Sequence, residues 1–140
     1  MEIKDIINLS PNDFEMLISN LVEEQGYKVN RFAPGEDIGI DIVARDEEES
    51  IAIQVKKYIN RKVNLSMVYH TYGAAAYYDC AKSIIATLGE LTPKAMEAAK
   101  KLNVEVWDKN TLLTFIQSVD SIKTPTKSKQ INTTEDWFFQ

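Results

Sequence analysis

The sequence predicts an α/β fold in which a mixed central sheet is flanked by helices, and three observations lead to this prediction. Residues 38–58 contain two apolar stretches that alternate as strands around an acidic turn, which indicates an antiparallel hairpin. Residues 83–107 have the pattern of a strand, a helix and a strand, the order that produces a parallel crossover. Segments with helical spacing of apolar residues lie between these strands.

The length and composition fit one folded domain followed by a tail. At 140 residues, 44% hydrophobic and 26% charged, the chain can bury one ordinary core but is too short for two good ones. The residues near the carboxyl terminus are mostly polar, which is typical of a mobile segment. We therefore expect a domain over residues 1–119 and a flexible tail with a terminal aromatic motif over residues 120–140.

The first long helix is predicted from the signals at its two ends. Ser10 followed by Pro11 is typical of an N-cap and a first helical position. Leu9 and Phe14 have the spacing of a hydrophobic staple, and apolar residues then recur at helical spacing. Gly26 supplies the left-handed residue that ends many helices, so an amphipathic helix is expected between these signals.

The remaining elements are expected in a definite order. One strand precedes the Pro/Gly turn at residues 33–37, and two strands flank the acidic residues 46–49. Asn64, Thr92 and Asp108 each have the position of an N-cap for a later helix, and short apolar strands separate these helices. The predicted order is helix, three strands, helix, strand, helix, strand and helix.

Composition and the start of the chain argue against several classes of protein. No stretch approaches the ~18 consecutive apolar residues of a membrane span, and the first residues lack the basic-then-apolar order of a secretory signal. We therefore expect a soluble, cytoplasmic protein without a membrane partner. The single cysteine, Cys80, cannot form an internal disulfide and is more typical of a small packed residue than of a catalytic thiol. His70 is likewise more typical of a surface or packed histidine than of a base.

The charges are unevenly distributed along the chain. The formal net charge of −5 argues against a protein that coats nucleic acid, because such binding needs clustered cations. A local cluster is nevertheless present in residues 56–62, which contain no acid. Within it, Lys57, Arg61 and Lys62 are candidates for contacts with phosphate groups, and a purely solvated role is an equally good interpretation.

Three polar residues interrupt the apolar strands of residues 38–58, and strand geometry predicts that they meet. The three isoleucines of the first strand are expected to share one face, namely Ile38, Ile40 and Ile42. Asp41 then lies on the opposite face. In the second strand the aliphatic residues leave Gln54 and Lys56 together on the other face. If the strands pair through the acidic turn, Asp41, Gln54 and Lys56 converge on one side of the hairpin.

Such a trio suits a metal-assisted reaction. The carboxylate of Asp41 and the amide oxygen of Gln54 are hard ligands for Mg²⁺, whose shell is commonly completed by water and substrate phosphate. Lys56 could orient or help deprotonate an attacking water, or stabilise charge on a phosphate oxygen. Glu15, on the first long helix, could reach the same cluster through a water molecule. These residues predict metal-assisted hydrolysis of a phosphodiester bond.

The order of these residues resembles a known nuclease family. Asp41, and after a turn Gln54-Val55-Lys56, on an αβββαβ core resemble the Mrr-like branch of the PD-(D/E)xK nucleases, which are related to type IV restriction endonucleases. The resemblance covers roughly residues 10–116 and implies a restriction-endonuclease-like fold. Its other matching positions are Phe14-Glu15, Gly26-Tyr27, Gly39-Ile40 and a distal group of Thr87, Leu91-Thr92-Pro93 and Ala95.

The resemblance also implies an activity and a role for each residue. It implies a Mg²⁺-dependent DNA endonuclease, with Mn²⁺ as an alternative metal, that works as a homodimer. Asp41 would bind the metal, Gln54 would replace the usual second acid, Lys56 would be catalytic, and Glu15 would match the helix acid of many members. Gln is the usual residue in this branch, but an amide carries no charge. The cation would be held more weakly unless Glu15, Asp37 or phosphate adds negative charge.

The last residues, KQINTTEDWFFQ, resemble a peptide that binds a sliding clamp, with the pattern Gln-x-x-aliphatic-x-x-aromatic-aromatic. The fit is imperfect. If Phe138 and Phe139 are the aromatic pair, Asn132 takes the Gln position, and using Gln130 instead needs one extra residue. Gln130, Trp137, Phe138 and Phe139 are therefore candidates for partner binding. A tail that folds back onto its own domain or onto a dimer partner is an equally good interpretation.

Three functions remain open at this point. The first is a DNA endonuclease that uses Asp41, Gln54 and Lys56. The second is a catalytically silent nucleic-acid-binding or adaptor module tethered to a partner such as a sliding clamp. The third is a Holliday-junction-type resolvase, although such enzymes typically carry an acid where Gln54 stands. Without the resemblance, Asp41 and Lys56 would be interpreted as surface charges, and Asp37 is more typical of a turn residue than of a ligand.

Overall fold

The computed structural model of the protein describes residues 1–32 and 39–119. Within them the helices are α1 (Ile3–Ile7), α2 (Pro11–Glu24), α3 (Leu65–Tyr77), α4 (Pro93–Leu102) and α5 (Lys109–Gln117). The strands are β1 (Lys28–Arg31), β2 (Ile42–Arg45), β3 (Ser50–Lys56), β4 (Lys82–Thr87) and β5 (Val104–Trp107). No helix in these two stretches is long and apolar enough to cross a bilayer.

The strands form one five-stranded mixed sheet in the order β1-β2-β3-β4-β5. β1 pairs with β2 and β2 with β3 in antiparallel fashion, whereas β3 with β4 and β4 with β5 are parallel. The predicted α/β fold with a mixed central sheet is therefore confirmed. The element order also agrees with the prediction, apart from the short helix α1 that precedes the first long helix.

The helices cover both faces of the sheet. The face packed by α1, α2 and α5 is called the α2 face, and the face packed by α3 and α4 is called the α3 face. Core residues of the α2 face include Phe14, Leu17, Ile42, Ile53, Ile84, Trp107 and Leu112. Core residues of the α3 face include Val43, Ala52, Ala74, Ala75, Ile85, Ala95 and Ala99. Alternate residues of each strand therefore enter two separate cores.

The long helices begin where the predicted capping residues stand. The side chains of Ser10, Asn64, Thr92 and Asp108 each accept a hydrogen bond from a backbone N–H three residues later, at 3.0 to 3.2 Å. Each such cap contributes about 1 kcal/mol to the stability of its helix. Four local sequence signals therefore fix the starts of α2, α3, α4 and α5.

The strand geometry around Asp41 differs from the prediction. Ile40 packs in the core of the α3 face, whereas Ile42 packs in the core of the α2 face, so the expected common face is wrong. The N–H of Asp41 donates to the carbonyl of Ile53 at 3.0 Å, and the Cα of Ile53 is paired with Ile42. Ile53 thus lies opposite two successive residues, Asp41 and Ile42, which is the pattern of a β-bulge. The bulge interrupts the regular alternation of side chains between the two faces of the sheet at Asp41.

Glu49 joins three segments at the end of the sheet where β3 begins. The hydroxyl of Tyr27 donates to Oε1 of Glu49 at 2.6 Å, and Nζ of Lys82 lies 3.1 Å from Oε2. The hydrogen bond from Tyr27, followed by that from Lys82, lowers the pKa of Glu49. The same carboxylate raises the pKa of Tyr27. This cluster ties the start of β1 to the β2–β3 turn and to the start of β4.

We expect Glu49→Gln to unfold at a lower temperature than the wild type at neutral pH. Because the folded state lowers the pKa of Glu49, its ionised form stabilises the fold above the ordinary glutamate pKa of about 4.3, and this stabilisation is lost as the pH falls. The difference between the two proteins in thermal unfolding, followed by circular dichroism, should therefore shrink in acid. Glu48→Gln, at an exposed neighbouring position, should follow the wild type, and a pH-independent difference would contradict the assignment.

Candidate active site

Asp41 is fixed where the chain enters the central hairpin. Its N–H donates to Ile53 at 3.0 Å, and its carbonyl accepts a hydrogen bond from the N–H of Phe32 at 3.2 Å. Gly39, two residues earlier, has a φ of +73°, and a Cβ built there would lie 3.6 Å from the carbonyl oxygen of His70 on α3. The positive φ favours glycine at this position, and the chain reaches Asp41 along the surface of α3.

The carboxylate of Asp41 is bonded to β3. Its Oδ2 accepts a hydrogen bond from the backbone N–H of Val55 at 2.7 Å and another from Nε2 of Gln54 at 3.1 Å. Hydrogen bonds to an ionised acceptor are roughly twice as strong as neutral ones. The side chain of Gln54 is largely buried, since the residue is 8% exposed. The structure therefore brings Asp41 and Gln54 into direct contact.

Lys56 lies at the carboxyl end of β3, next to this pair along the strand. Its Cα is paired with that of Thr87 on β4, and the residue is partly exposed. Alternation along β3 gives Ala52, Gln54 and Lys56 the same side of the strand, and Ala52 packs in the core of the α3 face. The side chains of Gln54 and Lys56 therefore lie on the same face of the sheet, near the end of β3. The carboxylate of Asp41 is hydrogen-bonded to the amide of Gln54.

Glu15 is held near this end of the sheet by an arginine. The Nε of Arg31 donates to Oε1 of Glu15 at 3.5 Å, and its Nη2 donates to Oδ1 of Asn12 at 2.9 Å. The side chains of Arg31 and Glu15 are 8% and 19% exposed. Arg31 is the last residue of β1 and is paired with Ile42, the residue that follows Asp41. The ion pair thus lies beside the strand segment that carries Asp41.

Arg31 was not singled out from the sequence. Arg31 and Val29 lie on the same side of β1, because side chains alternate along a strand. Val29 packs against the core of the α2 face. A charged residue at an inward strand position needs a partner, because an unpaired buried charge is strongly unfavourable. This signal could have drawn attention to Arg31, but only its three-dimensional neighbours identify Glu15 and Asn12 as its partners.

The donor set fits a hard, oxygen-binding cation. Within the described parts of the chain there is no group of three or more His, Cys, Asp or Glu residues that could hold a metal ion. Asp41 supplies one carboxylate, and Gln54 supplies an amide oxygen, since its nitrogen is the atom bonded to Asp41. Mg²⁺ needs few protein ligands when water and phosphate complete its shell. A closed structural zinc site, by contrast, needs four protein ligands, mostly Cys and His.

The predicted cationic residues lie in the segment between β3 and α3. Lys57 is partly exposed, and Arg61 and Lys62 are exposed. The guanidinium carbon of Arg61 lies 4.5 Å from the centre of the Tyr58 ring, which is a cation–π contact. The structure therefore presents these three cations to solvent directly after Lys56.

The other candidates from the sequence lie apart or cannot be placed. His70 is exposed on α3, whereas Cys80 packs partly buried against the core of the α3 face. Burial raises the pKa of the Cys80 thiol, which disfavours the reactive thiolate. Asp37, Ile38 and the tail candidates lie outside the described residues, and the tail candidates are Gln130, Trp137, Phe138 and Phe139.

The fold is similar to those of solved structures at low sequence identity. The protein of unknown function AF1548 has a TM-score of 0.63 and 17% identity, over 86% of this chain and 73% of that one. The MspJI restriction endonuclease, solved in complex with a 27-mer oligonucleotide, has a TM-score of 0.54 and 13% identity. That match covers 85% of this chain but 34% of MspJI. No curated protein sequence matches the chain.

The family is shown by the sequence itself. Residues 6–116 match the restriction endonuclease family of the Mrr catalytic type. The match contains all five strands of the sheet, together with Glu15, Asp41, Gln54 and Lys56. The predicted resemblance to Mrr-like restriction endonucleases is confirmed, and the chain belongs to this family.

Proposed function

We propose that the protein is a divalent-metal-dependent DNA endonuclease that hydrolyses phosphodiester bonds with Asp41, Gln54 and Lys56. The observation that carries this proposal is the pair of hydrogen bonds that join the Asp41 carboxylate to Gln54 and to the N–H of Val55. Family membership supports a nuclease, and restriction endonucleases act on DNA. The similar fold of MspJI, solved with an oligonucleotide, is consistent with a nucleic-acid substrate.

Asp41 and Gln54 are the proposed ligands of Mg²⁺, with Mn²⁺ as an alternative. When bound, the cation supplies Lewis-acid activation of the phosphate. The N–H of Val55 and the amide of Gln54 hold the Asp41 carboxylate in one orientation before any ligand arrives. Such preorganisation means that little reorientation is needed when the substrate binds.

Lys56 is the proposed catalytic cation. Its ammonium group lies at the open end of β3, where it can orient the attacking water and neutralise a phosphate oxygen. As the water oxygen bonds to phosphorus, the bond to the leaving sugar oxygen breaks and negative charge grows on the phosphate. A positive group at this position stabilises that charge by electrostatic attraction.

The alternative functions are less well supported. A silent adaptor module would not require Asp41 to keep its bonds to β3 or Lys56 to remain at the strand end. Gln54 stands where junction-resolving enzymes typically carry an acid, which favours a restriction-type nuclease. A homodimer, a cytoplasmic location and a sliding-clamp partner for the tail remain predictions from the sequence.

The first test is nicking of supercoiled plasmid DNA in Mg²⁺. We expect Asp41→Asn and Lys56→Met each to lower the rate by ~100-fold or more, because the first removes the carboxylate proposed to bind the cation and the second removes the ammonium group proposed to act on the phosphate. Lys100→Met, a loss of the same charge at an exposed position on α4, should retain the wild-type rate. Equal rates in all four preparations would indicate a contaminating nuclease and contradict the proposal.

A second test addresses the charge of the metal site. In Gln54→Glu a second carboxylate replaces the amide that donates to Asp41, so the two acids repel each other without metal. We expect this variant to unfold at a lower temperature than the wild type in EDTA and to gain more stability from added Mg²⁺. The matched control is Gln117→Glu on the last turn of α5, an exposed position. An equal Mg²⁺-induced shift in all three proteins would contradict cation binding at Gln54.

A third test separates the two proposed roles of Glu15, as an outer ligand of the cation and as the partner of Arg31. Glu15→Gln leaves Arg31 buried without a carboxylate, which should lower the free energy of unfolding by about 3 kcal/mol. The activity should then require more Mg²⁺ in Glu15→Gln than in the wild type, whereas Arg31→Gln, which keeps the carboxylate, should not shift the Mg²⁺ requirement. An unchanged Mg²⁺ midpoint in Glu15→Gln would restrict its role to pairing with Arg31.

A further inference from the structure

The segment between β3 and α3 exposes an aliphatic side chain among cations. Residues 57–62 contain Lys57, Arg61 and Lys62 and no acid. Ile59 lies between these cations and is 51% exposed. Burial of its exposed half against a partner would be favourable. This segment, residues 57–62, is called the β3–α3 loop.

The backbone of the β3–α3 loop rests directly on the turn that follows β4. A Cβ built on Gly89 would lie 2.6 Å from the carbonyl oxygen of Arg61 and 2.9 Å from the Cβ of Tyr58. Real Cβ atoms do not approach other atoms so closely, and only glycine allows the two backbones to touch here. The backbone of the loop is therefore packed directly against the turn at Gly89.

Hydrogen bonds hold the end of the loop in the same way. The N–H of Val63 donates to the carbonyl of Glu90 at 2.9 Å, and the N–H of Thr92 donates to the carbonyl of Val63 at 3.0 Å. At the start of the loop Tyr58 packs against the core of the α3 face, and the Arg61 guanidinium stacks over its ring. The backbone of the loop is thus held at both ends, so little backbone freedom is left to lose on binding.

Ile59 also lines a cleft whose walls are mainly apolar and carry both basic and acidic residues. Arg61, Lys62, Met96 and Lys109 line the same cleft. Two acids line it as well, Glu90 and Asp108. The Asp108 carboxylate is already engaged as the N-cap of α5, accepting from the N–H of Thr111 at 3.0 Å. The net charge of the loop and its cleft is positive, which complements a phosphate backbone.

We propose that the β3–α3 loop is a preformed DNA-contacting element in which the cations hold backbone phosphates and Ile59 inserts between neighbouring bases. This proposal rests on the proposed function. An apolar wedge flanked by Arg and Lys is how several proteins open a base step from the minor groove. Ile59 is three residues from Lys56, a chain length that spans at most ~11 Å. With the lengths of the two side chains added to this span, the wedge is expected to enter the DNA within one helical turn of the cut phosphate.

The energies require the wedge and the cations to act together. Unstacking one base step is unfavourable, and burial of one isoleucine offsets this cost only in part. Contacts of Lys57, Arg61 and Lys62 with phosphates supply the remainder, and a rigid loop does so with a small entropy cost. The wedge is therefore expected to contribute mainly to where the DNA opens, and the cations mainly to affinity.

The test uses the full-length protein and DNA duplexes that contain the fluorescent base 2-aminopurine at successive steps, in Ca²⁺ to slow cutting. At saturating wild-type protein we expect fluorescence to rise by about threefold or more at one or two steps, because an unstacked 2-aminopurine is brighter. Ile59→Ala should remove this rise, whereas its affinity, measured by anisotropy, should stay within about threefold of the wild type because the cations supply most of the binding. Tyr77→Ala, at a 64% exposed position in the last turn of α3 and outside the cleft that Ile59 lines, should behave as the wild type.

The cations have a different signature in the same experiment. Arg61→Gln and Lys62→Gln should each lower the salt dependence of binding by about one phosphate contact, while the fluorescence rise at saturation persists. No rise with wild-type protein bound at saturation, or an equal rise with Ile59→Ala, would overturn the wedge. A loss of self-association in Ile59→Ala without DNA would instead assign Ile59 to a contact between copies and also overturn it.

These outcomes are separable from a failure of the proposed function. A protein that nicks plasmid but shows no fluorescence change remains a nuclease without this wedge. A protein that neither binds the duplexes nor nicks plasmid overturns both proposals. Binding and base opening without nicking would support the loop as a DNA-contacting element and contradict the proposed hydrolysis.

Discussion

The location of the candidate site depends on two hydrogen bonds to one carboxylate oxygen of Asp41. The Val55 N–H and the Gln54 amide both donate to Oδ2 of Asp41. To accept both bonds, Asp41 has to be displaced by one residue from the regular pairing of β2 with β3. The bulge at Asp41 provides this offset, at the cost of the regular alternation of side chains. The two hydrogen bonds to the Asp41 side chain hold this offset residue against β3. The same residue thus stabilises the bulge and supplies the carboxylate of the site.

The candidate site and the Glu49 cluster lie at opposite ends of the strands of the sheet. The carboxyl ends of the parallel strands β3, β4 and β5 meet at one edge, where Lys56, the β3–α3 loop and Gly89 lie. In open α/β sheets ligands bind outside these ends. Glu49, Tyr27 and Lys82 join the chain at the other edge, where β3 and β4 begin. In the proposed enzyme the residues at the carboxyl ends would act on DNA, whereas Glu49, Tyr27 and Lys82 hold segments of the fold together.

Local signals in the sequence predicted most of the fold, and the contact between Asp41 and Gln54 followed from them. Ser10, Asn64, Thr92 and Asp108 act through residues three positions away, so their capping role is visible in the sequence. Asp41 and Gln54 face each other because a hairpin makes near neighbours of residues on both sides of its turn. The bulge was missed because it depends on which carbonyl of β3 receives the Asp41 N–H. The ion pair between Arg31 and Glu15 and the contact of the β3–α3 loop with Gly89 each join different elements of the fold. No local sequence pattern encodes such contacts.

The charge balance of the site suggests why metal and substrate would bind together. Asp41 contributes one negative charge and Gln54 none, so a divalent cation there keeps a net positive charge. A DNA phosphate supplies the missing charge and also completes the oxygen shell that Mg²⁺ prefers. By linkage, the cation must then strengthen DNA binding by the same factor as DNA strengthens cation binding. In the proposed enzyme an amide at position 54 would therefore tie occupancy of the metal site to the presence of DNA.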